Sequence, residues 1–261
     1  MRFSMITLGG LMLAAATPAM AQDETAPAPA ITINGSATVV SDYRFRGISQ
    51  TDKTPALQGS ITLTHESGFY VSVWGSSVDD YVTASLRGHQ ELDLIAGYKH
   101  TFSGTTIDTG VLYYLYPKTK LLPGDHSESN FFEPYFSIAH TLGPVTAKAT
   151  INYAPKQKAL ALDQGFTPGA TPKQDNVYIA GDLSASIPNT PIGLTGHLGH
   201  TFGPSWLSIG KEYTDWSVGA TATFKAITVG IQYVDTDGDF FTLTGKNASK
   251  AGVVGSIGVS F

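Results

Sequence analysis

Apolar and polar residues alternate one for one through most of this chain from residue 31 onward. A period of two marks strands whose two faces meet different environments. The stretch 31–45 carries Ile31, Ile33, Ala37, Val39, Tyr43 and Phe45 on one face and Asn34, Ser36, Thr38, Asp42 and Arg44 on the other. The same alternation runs through 56–65, 69–77, 90–102, 105–116, 132–142, 145–153, 177–187, 192–202, 213–224 and 227–235, and a last strand ends at Phe261. The pattern predicts about twelve strands, an even number, as a single-chain antiparallel barrel in a bacterial membrane requires.

The connections sort by parity. After even-numbered strands the chain turns quickly, at 66–68, Ser103-Gly104, Gly143-Pro144, 188–191 and Lys225-Ala226. After odd-numbered strands it makes long polar excursions, such as 117–130, 155–176 and 236–249. Transmembrane barrels keep their periplasmic turns short and their external loops long, whereas a soluble sandwich has no reason to do so. Aromatics follow the same division. Tyr43, Phe45, Tyr113, Tyr153 and Phe202 fall toward the long-loop ends of their strands, and Phe69, Tyr98, Phe102, Phe224 and Phe261 toward the short-turn ends. Two belts at the headgroup level are expected. The fold class that follows is all-β, a transmembrane antiparallel up-and-down β-barrel.

Composition narrows the picture further. Charged residues make up 14% of the chain, against roughly 25% in soluble domains. There is no cysteine, hence no disulfide and no thiolate metal site. Met1-Arg2, an apolar run over 6–16 and the small-x-small site Ala19-Met20-Ala21 read as a secretory signal peptide, residues 1–21, cleaved after Ala21. Residues 22–30, rich in Ala and Pro, read as a flexible leader, and 31–261 as the barrel. The expected location is the outer membrane of a Gram-negative bacterium. A net charge of −5 without any Lys/Arg stripe excludes a nucleic-acid surface.

The final strand places Val253, Ile257, Val259 and Phe261 on one face against Ser256, Gly258 and Ser260. It resembles the C-terminal signal by which outer-membrane barrels are recognised for assembly. The expected partners are therefore outer-membrane lipid and lipopolysaccharide, the barrel assembly machinery, periplasmic chaperones, and small solutes or ions. Ser41-Asp42-Tyr43-Arg44-Phe45-Arg46-Gly47-Ile48-Ser49-Gln50, followed by Thr51-Asp52-Lys53 and Pro55-Ala56-Leu57-Gln58-Gly59, resembles the opening signature of the TorF-type porin family of proteobacterial outer-membrane proteins. That resemblance implies a barrel and a pore, and it supplies no catalytic residues.

Motifs for chemistry are missing from the sequence. No Gly-x-Ser-x-Gly, His-Glu-x-x-His or phosphate-cradling Gly-Lys-Ser/Thr loop occurs. Ser208-Ile209-Gly210-Lys211 is a bare Ser-x-x-Lys in a loop, without companion motifs. His197 and His200 are three apart, so on a strand they face opposite ways and share no metal. Asp235-Thr236-Asp237-Gly238-Asp239 offers oxygen atoms to a divalent cation, but an EF-hand loop would need Gly and Glu where Phe240 and Lys246 stand. The expectation is no enzyme, no cofactor and no resident metal.

Charged residues in the polar phase remain: Asp42, Arg44, Arg46, Glu91, Asp93, Lys99, Asp108, Lys148 and Asp182. On the lipid face they would be costly, so they are candidates to line the lumen. Pairing of Arg44 or Arg46 with Asp93 or Asp182 would brace a plugged interior; opposed charges around water would instead filter solutes. Strand spacing and tilt give twelve strands a backbone radius of roughly 12 Å, and Gly97, Gly110, Gly199, Gly219 and Gly230 fall on the lumen phase, leaving space. Two readings stand: a porin-like channel for passive diffusion through a mixed-charge lumen, and a non-conducting structural or adhesive barrel acting through its outer loops.

Overall fold

The computed structural model describes residues 29–83, 86, 88–117, 126–242 and 244–261. The expected signal peptide, the leader as far as residue 28, and 118–125 of the long loop expected at 117–130 lie outside the described residues. Twelve strands close into one barrel: β1 Ile31–Val40, β4 Ala56–His65, β5 Phe69–Ser77, β6 Gln90–Phe102, β7 Thr105–Leu115, β8 Phe131–Leu142, β9 Val145–Gln157, β10 Gln174–Ser186, β11 Ile192–Phe202, β12 Tyr213–Phe224, β13 Ile227–Thr236 and β14 Gly252–Ser260. Two further short strands, β2 Arg44–Phe45 and β3 Ile48–Ser49, form a hairpin between β1 and β4.

Each barrel strand pairs antiparallel with its neighbour, and β14 returns to β1. At the seam Ala37 faces Val259 and Val39 faces Ile257. Gly35 and Phe261 then exchange two backbone hydrogen bonds, of 2.9 and 3.0 Å. The Phe261 ring lies where a Cβ on residue 35 would stand, so the glycine seats the terminal aromatic. At the same short-turn rim, between β6 and β7, Ser103 (φ 46°) and Gly104 (φ 78°) both adopt positive φ. This is the two-residue turn whose twist matches the flanking strands.

The two faces divide as the alternation predicts. Ile33, Leu57, Ile61, Val218 and Val253 are exposed around the outside, where only lipid makes such a surface favourable. Gln58, Thr62, Ser72, Ser76, Ser217 and Ser256 are buried inside. Tyr113, Tyr153 and Phe202 point outward at the long-loop end, and Phe69, Phe102, Phe224 and Phe261 do so at the short-turn end.

The first strand departs from expectation. It stops at Val40, which faces inward and is 1% exposed, rather than continuing to Phe45. Residues 41–55 then fold into the barrel, so Tyr43 is buried and Phe45 partly so, and neither belongs to the outer belt. β9 and β10 run further than the alternation suggests, to Gln157 and from Gln174, past an irregularity in register at 174–176.

Lipid exposure of this band gives a depth-dependent test. Ile61 lies in mid-strand, opposite Gly35 and Val73. Ile61→Arg should destabilise the barrel by about 2–4 kcal/mol, whereas Leu142→Arg at the short-turn rim should cost about 0–1 kcal/mol. Denaturant midpoints in lipid vesicles would read the difference.

Candidate channel interior

The inward loop is organised by its hairpin. Arg46 (φ 47°) and Gly47 (φ 80°) make a two-residue turn between β2 and β3. The turn reaches the wall: a Cβ on Gly47 would stand 2.8 Å from Cβ of Asp215 on β12 and 3.1 Å from Cβ of Thr236 on β13. Only glycine fits both that contact and that backbone conformation. Arg46 is 4% exposed. Its Nη2 donates to both carboxylate oxygens of Glu133 on β8, at 2.7 and 2.9 Å, and its Nη1 to Asn176 Oδ1 on β10 at 3.0 Å. The guanidinium carbon lies 4.1 Å from the ring centre of Tyr178 and 4.9 Å from that of Phe45.

The stem of the hairpin is fixed just as densely. Arg44 Nε donates to Asp42 Oδ2 at 2.6 Å, and its Nη1 donates to the carbonyls of Gly47, Ala248 and Lys250. The last two tie the first loop to the sixth, residues 237–251. Asp42 also accepts from Ser49 Oγ at 2.6 Å. Asp52 accepts from the hydroxyls of Thr242 and Thr244 and pairs with Lys246 at 3.0 Å. Tyr81, from the second long loop, donates its hydroxyl to the Ser49 carbonyl and accepts from the Asp52 amide. Burial pushes the Tyr81 phenol up to about 12.

A group of carboxylates borders the hairpin. Glu91 accepts from the hydroxyls of Tyr43 and Tyr116, each at 2.9 Å, and Tyr43 packs on Trp74 with ring centres 5.5 Å apart. Glu133 also accepts from Tyr114 and Asn152. Asp93, next along the inward face of β6, is 1% exposed, and its Oδ1 has no hydrogen-bond partner among the described residues. Buried charges are tolerable only when paired and hydrogen-bonded. Here Arg46 and the tyrosine hydroxyls do that work for Glu133 and Glu91.

Toward the short-turn end the walls differ from side to side. From β6 to β12 the wall is charged. Lys99 Nζ stands 3.4 Å from Asp108, which also accepts from Tyr70 and Tyr135. Lys148 is opposite Asp182 in register, and His197 bridges Asp182 at 2.7 Å and Asp215 at 3.0 Å. From β13 through β1 to β5 the wall is neutral and hydroxylated. Ser36 meets Ser60 at 2.8 Å, Thr62 meets Ser72 at 2.7 Å, and Ser256 and Thr228 continue the row.

All nine charges expected on the lumen phase point into the barrel, but they fall into two groups. Asp42, Arg44 and Arg46 belong to the inward loop, and Glu91 and Asp93 lie against it. Lys99, Asp108, Lys148 and Asp182 sit on the charged wall beneath. The pairs suggested for Arg44 and Arg46 do not form: Arg44 takes Asp42 from its own loop, and Arg46 takes Glu133. Glu133, Asp215, Asn176 and His197 were the residues missed. Glu133 occupies a polar position of its strand and was legible there. The glycines also serve otherwise than expected, since Gly97 and Gly110 make room for the rings of Tyr70 and Tyr135 lying along the wall. In the acidic segment 235–239, Asp235 accepts from Tyr233 and the Thr236 amide, and Asp237 from the Thr214 amide. Val253, Ile257, Val259 and Phe261 all face outward.

Arg46→Ala would leave Glu133 buried without its cation and should cost about 3–5 kcal/mol. Adding Glu133→Gln should restore much of that loss, as read from denaturant midpoints in detergent. Tyr81 provides a pH test. Its raised value means that its contribution is intact below the ordinary phenol range near 10 and is lost as pH rises through about 12. Phenolate absorbance of Tyr81→Phe should be lower by one late-ionising group than that of the parent chain.

Solved barrels similar to this chain include two porins. The NanC porin is 12% identical and superposes with a TM-score of 0.57, covering 88% of this chain and 99% of that one. The KdgM porin, solved in complex with disordered oligogalacturonate, is 9% identical with a TM-score of 0.53, covering 88% and 97%. These likenesses establish the porin-type fold. Among curated proteins no sequence matches. One family model spans residues 24–261, described as bacterial proteins of unknown function. It does not carry the TorF-type designation to which residues 41–59 are similar. By that match the chain belongs to the Gcw_chp family.

Proposed function

We propose that the chain forms a porin-like channel in a Gram-negative outer membrane, passing ions or small solutes by passive diffusion. Its lumen carries both signs of charge and is narrowed by the first loop. The observation that supports this best is the wall below the hairpin. Lys99, Asp108, Lys148 and Asp182 project there from facing strands, and each cation has a carboxylate across the register. Charges so arranged hold a local field without a large net charge, which suits a polar passage. The outward strand bearing Val253, Ile257, Val259 and Phe261 would be the handle for the assembly machinery and chaperones, and the apolar band would meet lipid and lipopolysaccharide.

The depth to which the first loop is packed favours the competing reading, a non-conducting barrel that acts through its outer loops. Planar-bilayer recordings separate the two. The channel reading expects discrete conductance steps, and their absence across salts and voltages would remove it. Under a salt gradient, replacing Lys99 and Lys148 by Gln should move the reversal potential toward cation preference. Replacing Asp108 and Asp182 by Asn should move it the other way.

A further inference from the structure

Between the inward hairpin and the outer loops lies a cavity of about 310 Å³. Its chemistry is opposite to that of the barrel interior: twelve of its fifteen lining residues are apolar or aromatic, and none is charged. Every long connection contributes, represented by Ile48, Tyr81, Tyr116, Leu162, Leu207 and Phe240. Clustered apolar side chains around an open mouth in water are a binding feature rather than a neutral surface. The volume is about twice that of the ~150 Å³ cavity that holds benzene in an engineered core.

The wall formed by the fifth loop is held rigidly. Trp206–Ser208 form a short turn capped by Ser205, whose hydroxyl accepts from the Ser208 amide, while the Ser208 hydroxyl accepts from the Ser205 amide. The turn ends at Ile209 with φ 51°, in a left-handed conformation that β-branched residues rarely adopt. Ser205 also accepts from Asn176 Nδ2 at 3.1 Å, and Asn176 accepts from Arg46. The cavity wall and the inward hairpin are thus joined through two side chains. Two of the lining residues carry an uncommitted polar group. Neither the Tyr213 hydroxyl nor the Trp206 indole N–H makes a hydrogen bond among the described residues.

We infer that this cavity binds a small uncharged molecule with one or two rings and a hydroxyl or carbonyl group. The ring body fills the apolar lining, and the polar group meets Tyr213 and Trp206. The inference concerns binding at the outer mouth and stands apart from whether the barrel conducts.

Calorimetric titration of 4-methylphenol into the full chain in lipid nanodiscs tests it, with empty nanodiscs and myo-inositol as comparisons. The expected result is one saturable site for methylphenol and none for inositol. Leu207→Asp, which places a charge on a loop wall, should weaken binding about tenfold or more. Tyr213→Phe, which keeps the ring, should weaken it roughly fivefold. Gel mobility before and after heating verifies that each variant is a folded barrel. Uptake that does not saturate above empty nanodiscs, equal binding of inositol, or unchanged affinity in both folded variants would overturn the inference. Binding is read without current, so failure here leaves the conductance result intact, and the reverse also holds.

Discussion

In hydrocarbon no water is available to a bare amide or carbonyl, so a sheet that crosses a membrane cannot have an edge. That constraint governs this molecule. The reciprocal backbone bonds between Gly35 and Phe261 complete the ring, and the terminal aromatic covers the glycine that lets the strands approach. Once the ring is shut, the period-two pattern leaves no freedom. Apolar positions must face lipid and polar positions must face inward, and a slip of one residue would exchange them.

Closure creates a second requirement, that the inward polar groups find partners. At the short-turn end they find one another across neighbouring strands. At the long-loop end the partner is the chain's own first loop. Arg46 illustrates the energetics: a buried guanidinium carries a desolvation cost of several kcal/mol, offset here by a bidentate carboxylate, an amide and two aromatic faces. The positive φ at Arg46 is held by contacts at both ends of the hairpin. Because these bonds reach β8, β10 and the sixth loop, the loop behaves as part of the wall.

The strands were legible because each face answers to a single solvent; β4, β5, β6, β11 and β12 have the limits that alternation alone assigns. The inward turn after Val40 was not. Tyr43 and Phe45 continue the apolar phase, so local pattern extends β1, while the partners that draw them inside stand far away in sequence. Arg46 and Glu133 are 87 positions apart, and Arg46 and Asn176 are 130 apart. Individual lumen charges could be assigned by phase, whereas their pairing depended on which strands the closed sheet places across from one another. The outer cavity was invisible for a related reason: its lining is collected from six separate connections, none of which is apolar enough to stand out.

The division of the lower lumen into an ionic side and a hydroxyl side has a vectorial consequence. Paired charges of both signs line one side and hydroxyls the other, so polarity varies around the barrel axis. In a conducting barrel, a solute carrying both a charge and hydroxyls would be turned so that its charge meets β6–β12 and its hydroxyls meet β1. To such a solute the lumen would have a left and a right.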